Sequence, residues 1–121
     1  MGRTVYVLLP DAREREWIKA TLAKQAARVV LLDDIGQLPS GDTSDGNACL
    51  IVSAEPLEDC AVQLITDLRD RGNSIAVIAL GSHAVFRTAI DIARMDATDF
   101  LERPLSEREL LQTVQRTWDR Q

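Results

Sequence analysis

Four stretches of the chain are nearly unbroken in apolar residues, and each is only five or six residues long. They are TVYVLL at 4–9, RVVLL at 28–32, ACLIVS at 48–53 and IAVIAL at 75–80. A strand wetted on one side alternates apolar and polar side chains. A strand covered on both sides does not, and such strands build parallel sheets sandwiched between helices. A fifth run, TDFLE at 98–102, carries more charge but has the same β-rich character.

The segments between these runs have the other period. Trp17, Ile18 and Leu22 recur at helical spacing, as do Ala61, Leu64, Ile65 and Leu68. Phe86, Ala89, Ile90 and Ala93 form a third set, and Leu110, Leu111, Val114 and Trp118 a fourth. Each set gives its helix one apolar face. Asp11 with Glu14 marks one helix start. Ser106 with Glu109 marks another as a capping box, and Leu105 and Leu110 sit where a hydrophobic staple would close it. The helical stretch that carries Phe86 and Ile90 is expected to end near Met95, with Asp96 in the left-handed position. The segment DDIGQLPSGDTSDGN at 33–47 has no helical face and is punctuated by Gly36, Pro39, Gly41 and Gly46. The second helix is therefore expected to be shortened or replaced by a loop.

Strands alternating with one-sided helices, joined by right-handed crossovers, predict an α/β fold with a doubly wound, five-stranded parallel sheet. The flavodoxin-like strand order 2-1-3-4-5 is the one expected for five strands. A length of 121 residues suits one core, so residues 1–121 read as one domain, either alone or as the N-terminal module of a longer regulator.

Fourteen Lys and Arg against nineteen Asp and Glu give a formal charge of −5. That balance argues against direct nucleic acid binding by this domain, which needs clustered positive charge. No apolar run reaches the roughly 20 residues of a bilayer span, and the first apolar stretch reads as a strand and not as an export signal. A cytoplasmic location without membrane contact is expected. Cys49 and Cys60 read as small buried hydrophobes.

In a sheet of this order, ligands and chemistry gather beyond the carboxyl ends of the strands. The residues placed there are Leu9, Pro10 and Asp11, then Ser53, Ala54 and Glu55, then Gly81, Ser82 and His83, and finally Arg103 and Pro104. His83 is the one histidine, and a lone histidine without ligand partners reads as an ordinary first-turn residue. Asp42 and Asp45 lack the spacing of a calcium loop. Gly81 and Ser82 read as a tight turn with Ser82 as a helix cap, or as a weak anion contact.

The segment DATDFLERPLSERELLQTV at 96–114 resembles the end of a response-regulator receiver domain of the CheY-like kind. There, a "GA-x-DFL-x-KP" text precedes a capped helix. LGSHA at 80–84 resembles the family's text after strand 4. The resemblance implies a crevice that phosphorylates itself. Two acidic residues after strand 1 and an aspartate ending strand 3 hold magnesium. The aspartate takes the phosphoryl group, and a Thr or Ser after strand 4 and a Lys after strand 5 contact its oxygens. Magnesium demands hard oxygen ligands, and the cations neutralise charge on the transferring group.

Carried over position by position, the acidic pair falls on Leu9 and Pro10 and the phosphoacceptor on Ser53. The hydroxyl position falls on Gly81 and the lysine on Arg103. All five depart from the family pattern. Leu9 and Pro10 offer no ligand oxygen, and a serine without a neighbouring base is a poor nucleophile. The resemblance also places a switch aromatic at Phe100 and a cis bond before Pro104. The resulting expectation is an atypical receiver, not an enzyme and without metal or cofactor. It would act through a protein partner or a second copy, using either the face formed by the family's fourth helix, fifth strand and fifth helix, or that of its first and fifth helices. The alternative is a ligand-sensing domain using the vacated crevice, with Asp11, Ser82 and Arg103 as contacts.

Overall fold

The protein is described by a computed structural model covering residues 4–24, 28–34, 36, 48–53, 58–73, 75–81, 98–102 and 105–119. Five strands, β1 (Thr4–Leu8), β2 (Arg28–Leu31), β3 (Ala48–Ser53), β4 (Ala76–Gly81) and β5 (Thr98–Glu102), form one sheet in the order β2-β1-β3-β4-β5. Every neighbouring pair is parallel. The expected order and strand direction are thus both found. The described helices are α1 (Ala12–Ala23), α2 (Glu58–Asp70) and α3 (Glu107–Asp119). None of them is long and apolar enough to cross a membrane.

The apolar runs are continuous because the two faces of the sheet feed two separate cores. Val5, Val7, Cys49, Ile51, Ile78, Leu80 and Leu101 point to one side and pack with Ile18 and Leu22 of α1 and Leu110, Val114 and Trp118 of α3. Leu50, Val52, Val77 and Ala79 point to the other and pack with Ile65 and Leu68 of α2. The period of two along a strand divides one apolar run between both layers. Strand β4, between β3 and β5, is buried along its whole length.

The helix ends follow from their capping residues. Asp11 has extended backbone, and its carboxylate accepts from the amides of Arg13 at 2.8 Å and Glu14 at 3.2 Å. Ser106 Oγ accepts from the Glu109 amide at 3.1 Å, and Leu105 packs on the core beside buried Leu110. Helix α2 stops where Gly72 turns left-handed, at φ 79°. The Asn73 amide then reaches back to the Leu68 carbonyl, and the Gly72 amide to that of Arg69, the paired bonds of a Schellman end. Asn73 continues the turn, its side-chain Oδ1 accepting from the Ile75 amide at 3.0 Å just before β4.

Helix α1 corrects one expectation. Trp17 was grouped with Ile18 and Leu22 on the apolar face, but it is 38% exposed and Thr21 is buried in its place. From Ile18, the positions at i+3 and i+4 are Thr21 and Leu22, and Trp17 lies on the border of that arc. Polar residues also enter the layer from α3. Thr113 and Thr117 are buried, and Thr117 Oγ1 donates to the Thr113 carbonyl at 2.8 Å and lies 3.2 Å from Asp99 Oδ2 of β5. The segment expected to lack a second helix falls almost wholly outside the described residues, as do the helical stretch that carries Phe86 and Ile90, His83, Asp42 and Asp45.

Candidate functional site: the carboxyl edge of the sheet

All five strands end on the same edge, so their registers define what meets there. Leu8 pairs with Val52, and one step further Leu9 comes abreast of Ser53. Ser53 pairs with Leu80, and Gly81 pairs with Glu102. Leu9, Ser53, Gly81 and Glu102 therefore line one rim. The sequence reading also named the first three at this edge. It passed over Glu102, although this residue ends the DFLE run immediately before Arg103.

The side chains at this rim are apolar, small or already engaged. Leu9 is 3% exposed and belongs to the core shared with α1 and α3. It is a continuation of the packed column Val5, Val7, Leu9 beyond the formal end of β1. Pro10 is exposed, and its ring offers no donor or acceptor. The Asp11 carboxylate is held by two amides of the first turn of α1, so the cap explains its presence there. Ser53 is half-buried and Gly81 is buried.

Next to this rim, Arg15 of α1 reaches Asp33, just beyond β2, with its Nη2 3.2 Å from Oδ1. The two side chains are 22% and 78% exposed, so the pair ties the β2 end to α1 weakly, at most about 1 kcal/mol. No sequence signal marks it, because the partners are 18 residues apart. Asp34 accepts from the Gly36 amide at 2.9 Å in the same turn. Below the rim, Cys49 is fully buried and free, and burial pushes its thiol up to about 12.

A magnesium ion in the manner of the resembling family would need carboxylate oxygens at the ends of β1 and β3. Leu9 and Pro10 supply none, and Ser53 supplies only a hydroxyl. These residues do not fit that ion. Phe100 packs partly buried against the α2-side core. Ser82, Arg103 and Pro104, with the cis bond expected there, lie outside the described residues.

No family model matches the chain. Its sequence is similar to the C4-dicarboxylate transport transcriptional regulatory protein DctD of Pseudomonas aeruginosa, 26% identical over 112 residues. The match covers 93% of this chain and 24% of that protein, so the chain spans about a quarter of its relative. The fold is similar to the crystal structure of FixJ-N, with a TM-score of 0.80 at 16% identity, over 100% of this chain and 97% of that one. It is likewise similar to a response regulator receiver protein from Pseudoalteromonas atlantica, with a TM-score of 0.79 at 23% identity, over 96% and 97% of the two chains. The chain has the fold of a response-regulator receiver domain, as the motif at 96–114 implied.

Proposed function

We propose that this domain is an atypical receiver of a two-component response regulator, a cytoplasmic signalling module that works without aspartyl phosphorylation. The observation that carries the reading is Leu9. At the position where the family's acidic pair begins, the chain extends its hydrophobic core to the rim, with a side chain only 3% exposed. A carboxylate there would take the place of a member of the apolar cluster that also holds Val5, Val7, Ile18 and Leu22. The missing carboxylate at Ser53 and the missing hydroxyl at Gly81 point the same way.

Without a phosphoryl switch, control passes to binding. A partner or a second copy selects among the conformations the domain already populates. The faces for such pairing are that of β5 and α3 with the segment before β5, and that of α1 with α3. The latter presents Arg13, Trp17 and Lys24, with Lys24 paired to Glu107 at 2.6 Å. No catalytic role is assigned to any residue.

The test is an amide-shift titration of the labelled domain with magnesium and beryllium fluoride, a mimic of the phosphoryl group. The expected result is no saturable shift at Leu9, Ser53, Gly81 or Arg103. Saturable, magnesium-dependent shifts at those amides would overturn the proposal, because they would require a carboxylate set that this rim does not offer.

A further inference from the structure

We draw no further inference here: the strongest candidate, the part-exposed Trp17 beside Arg13 and Lys24 on the outer side of α1, lies on the pairing face already described, and nothing in the structure shows what covers it.

Discussion

Placing an acidic residue at Leu9, a test that bears on the proposed function, is predicted to damage the fold. Leu9 is 3% exposed and joins the core that α1 and α3 cover. Removing its side chain forfeits transfer and packing energy of about 2–3 kcal/mol, the lower part of the range for a buried leucine, because exposed Pro10 follows it and the rim can relax. In Leu9→Asp the new carboxyl also loses water, for roughly 1–3 kcal/mol more. The sum is about 4 kcal/mol, against a total stability of about 5–15 kcal/mol for a small domain. The pH dependence has a definite sign. Burial raises the new carboxyl's pKa in the fold above its unfolded value of about 3.9. The folded variant then holds its proton more tightly than the unfolded chain does, so its stability falls as pH rises through that window. Urea unfolding of Leu9→Asp and its parent at pH 7 and at pH 4.5 measures both effects. The deficit is expected to be larger at pH 7. Pro10→Asp, at an exposed position, serves as the control and is expected to lose under about 1 kcal/mol. A Leu9→Asp domain as stable as its parent at pH 7 would refute the reasoning, since it would place Leu9 at a solvated rim where a carboxylate is welcome.

Three further outcomes are expected. Asp11→Ala removes the acceptor of two amides at the start of α1 and should lower stability by about 1 kcal/mol, read as a drop in thermal midpoint. An unchanged midpoint would mean that solvent caps the helix equally well. Gly72→Ala should also lose about 1–2 kcal/mol in urea unfolding. A methyl group there meets nothing within 4 Å, so any loss reports the φ of 79° alone. In a Cys60→Ser background, Cys49 should resist thiol reagents in the native domain at pH 8 and react only at the rate of unfolding. Raising the pH above the thiol's ordinary value of 9.0 should then erode stability, because the unfolded thiol ionises while the buried one holds its proton to about 12. Fast labelling of the native domain at pH 8 would contradict the burial of Cys49.

The strands and their order were readable because burial on both faces leaves an unambiguous mark in short apolar runs. The starts of α1 and α3 were readable because Asp11 and Ser106 act within three residues of themselves. Trp17 was misplaced because one helical turn of sequence does not say which border of the apolar arc meets the sheet. Thr113, Thr117 and Asp99 were invisible for a related reason. A threonine can be buried once its hydroxyl finds a carbonyl and a carboxylate, and those partners are known only when α3 lies on β5. At the rim, the residue types at Leu9, Pro10 and Ser53 could be read from the sequence. The seating of Leu9 in the core could not, because it depends on the β1–β3 register and on what α1 and α3 bring beneath it. The end of α2 was legible in principle. Gly72 after the last helical turn is the signature of the left-handed stop that the structure shows.

The strand order has a consequence for how the chain comes into being. Synthesis delivers β1 first, yet β1 lies inside the sheet between β2 and β3. One of its faces is sealed in part by Leu110, Val114 and Trp118, which follow all five strands in the sequence. Until α3 has been made, a nascent chain therefore carries the α1-side apolar side chains of β1, β3 and β4 without their complete cover. Its long-range parallel pairings are also the kind that form slowly. Helix α3 acts as the closing piece of the α1-side layer, and a ribosome that stalls before α3 emerges holds a sheet with that side open to any chaperone within reach.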